Sequence, residues 1–90
     1  PPVRSAASGR WLLWPNPARD QVSLAHTTDM EDMHSVVIYD QMGRQVFERR
    51  FSQLRPTYQL DISALSAGLY YVRMTTSEGK TQTVKLVKME

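Results

Sequence analysis

Cysteine is absent from the 90 residues, so no disulfide can staple this chain and neither thiol chemistry nor a thiolate metal site is available to it. The compartment stays undecided by that absence, because a secreted domain need not contain cysteine. Long apolar runs are missing as well. The longest, around Ser35 to Tyr39, is strand-sized and far short of the ~20 residues that a bilayer-spanning helix requires, so no membrane insertion is expected. A strong charge of either sign is also lacking. The net charge is +2, with four arginines against five acids in residues 1–45 and seven bases against four acids in residues 46–90. The densest basic feature, Arg49-Arg50 with Arg55, is too short for a nucleic-acid stripe, and no nucleic-acid partner is expected.

What remains is a chain sized for one domain, with a core near the lower limit of what folds without staples. Residues 1–10 mix Pro, Ser, Ala and Gly without apolar periodicity, the composition of a linker, here one leading from an upstream domain. Pro1 in place of a methionine suggests excision from a longer precursor, with any export leader lying upstream. The folded domain is expected over residues 11–90.

Helical periodicity is scarcely visible in that span, whereas short alternating or β-branched runs recur between turn-forming residues. Seven strands are expected: 11–14, 21–25, 35–40, 44–51, 57–61, 69–76 and 80–88. The prolines in Pro15-Asn16-Pro17 fix φ and remove donors, which forces a corner between sheets. Asp40-Gln41-Met42-Gly43 carries the residues a type I turn prefers at its first and fourth positions, predicting a hairpin. In residues 61–68, Asp61 or Ser63 can cap one helical turn, Ile62 and Leu65 point the same way, and Gly68 can make a left-handed exit; this segment is expected to plug the sandwich end. Alternation then places Tyr70, Val72 and Met74 on one face of a strand and Tyr71, Arg73 and Thr75 on the other. The first set is the better core candidate, and one of the two tyrosines is expected to form a corner of the kind found in immunoglobulin-like sandwiches. Seven strands at this spacing predict an all-β, immunoglobulin-like antiparallel sandwich, with a small barrel as runner-up.

Catalytic constellations are hard to assemble. His26, Asp29, Glu31 and His34 fall within nine residues, yet the spacing matches neither a zinc pattern nor a calcium loop, so a solvated acidic loop is expected and no metal or cofactor. Ser63 and Ser66 lack a nucleophile elbow, and Asp40 and Asp61 read as turn and cap residues rather than a carboxylate pair. Trp11 and Trp14 suggest a sugar platform, but odd–even alternation sends the rings to opposite faces, which favours one in the core and one capping the end or meeting an upstream domain. No enzyme activity is expected.

Three segments carry a more specific signal. Trp14-Pro15-Asn16-Pro17-Ala18-Arg19-Asp20-Gln21-Val22, Val37-Ile38-Tyr39-Asp40-Gln41-Met42-Gly43-Arg44-Gln45-Val46, and the stretch Leu60 to Arg73 followed by Lys85-Leu86-Val87-Lys88 together resemble the C-terminal sorting domain of proteins exported by the type IX secretion system. Trp14 replaces the usual tyrosine, and Met89-Glu90 extend beyond the terminal lysine. The resemblance implies a non-catalytic export signal read by the outer-membrane secretion machinery. It also implies a cargo domain upstream, periplasmic transit, delivery to the cell surface or medium, and removal of the domain by a surface sortase. Motif positions carried over as recognition residues are Pro15, Asn16, Pro17, Asp40, Gly43, Gly68, Tyr70, Lys85, Leu86, Val87 and Lys88. The final strand is expected to lie at a sheet edge, open to a receptor strand, with Leu86 or Val87 giving specificity and lysines discouraging casual pairing. Edge pairing between two copies is left open. The competing readings are a carbohydrate-binding module and a structural immunoglobulin-like spacer.

Overall fold

A computed structural model describes residues 11–26, 33–52, 55, 57–76 and 79–90. The expected linker at 1–10 and the acidic segment 27–32 lie outside the described residues. Seven strands form: β1 (Trp11–Trp14), β2 (Gln21–His26), β3 (Met33–Tyr39), β4 (Gln45–Arg50), β5 (Tyr58–Asp61), β6 (Gly68–Thr76) and β7 (Thr81–Lys88). Each boundary falls within two residues of its expected place, because alternation marks the body of a strand more sharply than its ends.

The strands build two antiparallel sheets, one in the order β1-β2-β5 and one in the order β4-β3-β6-β7. The alternation sets which face is buried. In β2, Val22 and Leu24 point inward, and in β6 Tyr70, Val72 and Met74 do so, meeting Val36, Ile38, Leu60 and Leu86 in one core. Tyr71, Arg73 and Thr75 take the outer face, as the period of two requires. Both sheet faces are thus amphipathic, the arrangement that makes a sandwich fold without staples.

The two tryptophans separate as expected. Trp11 is buried against the His26 ring, with centroids 5.0 Å apart in an edge-to-face arrangement, while Trp14 is 44% exposed on the outer face. No flat two-ring platform forms. The Trp11 indole Nε1 is buried without a hydrogen-bond partner.

Two turns depart from the expectation in an informative way. Residues 61–67 do not form a helical turn. Asp61 Oδ1 instead accepts the Ser63 amide at 2.9 Å and the Ser63 hydroxyl at 2.6 Å, and a tight turn closes with Leu65 N donating to Ile62 O at 3.0 Å. An Asp side chain bound two residues on competes with helix formation. The plug survives the change, since Ile62 is fully buried and Leu65 packs on the core. Gly68 leaves this turn at φ +153°, an extended positive-φ conformation rather than a left-handed helical exit.

Candidate functional site

The β-register brings the sequence-predicted recognition residues to one end of the sandwich. Trp14 pairs with Ser23, Gln21 with Asp61, Tyr39 with both Gln45 and Tyr71, and Gly68 with Lys88. The loop 15–20, the turn 40–44, the plug 62–67 and the close of β7 therefore share a pole. Trp11, where the chain enters, lies at the opposite pole with His26 and His34.

At this pole the Pro-Asn-Pro-Ala segment covers the outer edge of β7, pairing through the Asn16 side chain and a parallel bridge at Ala18. Asn16 Nδ2 donates to Lys85 O at 2.7 Å, and Asn16 Oδ1 accepts from Val87 N at 3.0 Å, so one side-chain amide satisfies two backbone groups. Ala18 continues the pairing: its N–H donates to Val87 O at 2.8 Å, and its carbonyl accepts from Met89 N at 2.7 Å in a parallel bridge. Pro15 and Pro17 flank Asn16, both following cis peptide bonds, and neither has an N–H to satisfy. Arg19 Nη1 donates to Glu90 O at 2.8 Å, and Ile62 N donates to Asp20 O at 2.8 Å, so the loop joins the edge of one sheet to the end of the other.

This arrangement overturns the open-edge expectation for β7. The backbone groups that a receptor strand would need around 85–89 are already engaged. Farther along, the Gln82 amide closes the same edge against β1: Trp11 N donates to Gln82 Oε1 at 2.8 Å, and Gln82 Nε2 donates to Trp11 O at 2.9 Å. Gln82 escaped the sequence reading. Its only signal is an inward-facing amide opposite Met74 on a face shared with Val84, Leu86 and Lys88.

The remaining motif residues divide into structural and displayed groups. Asp40 Oδ1 accepts the amides of Met42 and Arg44, each at 2.9 Å, and Oδ2 accepts Arg44 Nε at 2.9 Å. The Arg44 backbone amide is the main cause that holds its carboxyl below the ordinary 3.8, helped by the Arg44 side chain and the Met42 amide against a smaller opposing effect of desolvation. Gly43, at φ +86°, donates its N–H to Asp40 O at 3.0 Å and turns the chain back into β4. Asp61 is likewise lowered, first by the Ser63 hydroxyl and then by the Ser63 amide. Tyr70 is the corner tyrosine: its hydroxyl donates to Ser66 O at 2.6 Å and its ring is buried, whereas Tyr71 is 37% exposed. In the terminal block Leu86 is fully buried and Lys88 is nearly so, its Nζ donating to Met89 O at 2.9 Å. The expectation that Lys88 is a solvated guard of the edge is corrected, because even-numbered residues of β7 face inward. Lys85 and Val87 are the displayed pair.

The hydroxyls and carboxylates singled out in the sequence serve the turns of this pole. Ser63 and Ser66 are committed to turn hydrogen bonds with Asp61 and Tyr70. Among the described residues no group of three or more His, Asp or Glu side chains stands ready to hold a metal ion. Neither Asp40 nor Asp61 faces a second carboxylate in a hydrogen bond; each serves its own turn.

The architecture is that of an immunoglobulin-like β-sandwich. It superposes on the crystal structure of a DUF3244 family protein with that fold from Bacteroides vulgatus ATCC 8482, at a TM-score of 0.70 and 19% identity, covering 90% of this chain and 91% of that one. The sequence matches the family described as "Secretion system C-terminal sorting domain" over residues 12–89, and the chain belongs to that family. It is also 37% identical over 86 residues to karilysin of Tannerella forsythia, covering 87% of this chain but 18% of that protein, so it spans under a fifth of the length of this curated relative. The family is a C-terminal signal for type IX secretion, the route across the outer membrane to the surface or medium, and the chain is accordingly a sorting domain of a larger cargo protein.

Proposed function

We propose that residues 11–90 form a folded export address whose signal pole is contacted by the outer-membrane machinery of type IX secretion. The cargo is joined through residues 1–10, passes through the periplasm, and reaches the surface or medium, where a sortase cuts the linker ahead of Trp11. The observation that carries this reading is the convergence of the family's motif segments on one pole, away from the point where the cargo enters. Pro15, Asn16, Pro17, Asp40, Gly43, Gly68, Tyr70, Leu86 and Lys88 build the surface, and Lys85 and Val87 present it. The enclosed setting of Leu86 and Lys88 supports a structural share for them, and the outward side chains of Lys85 and Val87 support direct contact.

A reporter fused upstream tests the proposal. Export should fall severalfold in the combined variant Lys85→Glu with Val87→Asp while the purified domain keeps its thermal transition. Undiminished surface delivery of that variant would remove the terminal block from recognition. Mass spectrometry of the delivered cargo locates the cut: a carboxyl terminus within residues 1–10 is expected, and a mature cargo still carrying residues 11–90 would exclude sortase removal.

A further inference from the structure

A sandwich with two open-ended sheets has four edges, and among the described residues two of them are closed. β1 and β7 are sewn together by the Gln82 and Asn16 amides and by Ala18. β4 and β5 are the edges on the other side. Among the described residues, no hydrogen bond reaches the outer edge of β4.

We infer that the outer edge of β4 is a docking site for an extended acidic segment of a partner polypeptide, which adds to the sheet as a further strand. Backbone geometry comes first. Phe51 N donates to His34 O on the β3 side at 3.0 Å, so alternation turns the N–H groups of Arg50 and Glu48 away from the sheet, toward an incoming strand. All of β4 except the half-buried Phe47 is exposed. Room for side chains comes second. A cavity of about 430 Å³ lined by Arg49, Phe51, Arg55 and Tyr58 flanks one end of the strand, and one of about 370 Å³ lined by Asp40, Arg44, Val46, Leu69 and Tyr70 flanks the other. An added strand sends alternate side chains toward the core side, and β4 is long enough, at roughly 3.4 Å per residue, to place one such side chain near each cavity.

Charge selects the occupant. Arg44, Arg49 and Arg50 lie along this seam with Asp40 and Glu48, which are tied to Arg44 at 2.9 Å and Arg50 at 3.3 Å, so the described side chains of the edge carry a positive surplus at Arg49. Arg49 spreads over the Phe51 ring at 5.1 Å, holding its guanidinium at the mouth of the larger cavity. A second copy of this chain is disfavoured, since its β4 brings one glutamate and two arginines and so adds net positive charge to an already positive seam. The inference does not rest on the export role: the backbone edge at Glu48 and Arg50 lies outside the motif segments, and only the smaller cavity borders them.

The test uses the whole domain and a fluorescein-labelled decapeptide alternating glutamate and valine, with a lysine–valine decapeptide as control. Anisotropy should report binding of the acidic peptide alone, weakening as salt is raised, and the amide signals of Glu48 and Arg50 should shift and gain exchange protection. Glu48→Pro, which removes an outward N–H and leaves the β3 ladder intact, should weaken binding about tenfold. The combined variant Arg49→Glu with Arg55→Glu should do the same without touching the backbone. Absence of binding, equal binding of both peptides, or perturbation confined to β7 would each overturn the inference. So would a dimer in light scattering that Glu48→Pro dissolves, since it would name a second copy as the occupant.

Discussion

Asn16 stands where a strand would be too long and a side chain alone too short. Its amide has the same donor and acceptor as a peptide group, so it continues a β-ladder at a position where the flanking prolines contribute no N–H. Replacing it removes two hydrogen bonds and leaves Val87 N and Lys85 O to water. Asn16→Ala should therefore destabilise the domain by about 1–3 kcal/mol, read as a shift in the urea midpoint at constant slope. An unchanged midpoint would mean that Ala18 alone holds the loop.

Asp40 and Asp61 make the same point through pH. Both carboxyls are lowered from 3.8 by groups that bind the charged form, so each stabilises the folded state above its unfolded value. That stabilisation is lost as pH falls through the lower folded values. Stability measured by urea should be flat from neutrality to about pH 5 as far as these two groups are concerned and decline below pH 4. Asp40→Asn should be less stable at neutral pH and show a shallower decline. A variant with the same acid profile as wild type would contradict the turn geometry. Gly68 differs from both: a Cβ there meets nothing within 4 Å, so the cost of Gly68→Ala is backbone alone, about 1–3 kcal/mol at φ +153°.

At the scale of the strand, β7 shows what a sequence reveals and what it hides. Thr81 to Lys88 alternates plainly enough to announce a strand, and the same alternation puts Leu86 inside and Val87 outside. Leu86→Ala should cost about 2–5 kcal/mol, and Val87→Ser should fall within about 0.5 kcal/mol of wild type by thermal denaturation. Comparable losses for both would mean that β7 is read one residue out of register. The state of its edge was not legible in the same way. Whether the β7 backbone is open depends on Asn16 and Gln82, partners 71 residues away in sequence for both Val87 and Trp11. Local pattern carries no trace of contacts at that separation. The helical turn expected within 61–68 does not form for a related reason: capping residues start a helix only when their side chains are not already bound within a tighter turn, as Asp61 is to Ser63. Alternation favours Tyr70 for the core, but which tyrosine forms the corner is decided by Ser66 O, which accepts the Tyr70 hydroxyl.

The two ends of the sandwich carry different parts of the chain. Entry at Trp11 and the motif segments at 15–20, 40–44, 62–67 and 85–90 occupy opposite ends, so anything attached upstream hangs from the far side of the signal. That geometry separates two kinds of insertion. Six Gly-Ser residues placed ahead of Trp11 lengthen a tether and leave the pole untouched, so reporter export should stay within about twofold of wild type. The same six residues inserted between Gln41 and Met42 break the Asp40 turn at the pole, while the β3–β4 ladder retains its pairs from Ser35–Arg50 to Ile38–Phe47 and the core is untouched. Loop lengthening of that size costs little stability, roughly 1 kcal/mol, so the domain should still unfold cooperatively. Export should nevertheless drop severalfold. Equal tolerance of both insertions would show that the machinery does not contact this pole, and equal sensitivity would show that distance from the cargo, not the shape of the pole, is what it measures.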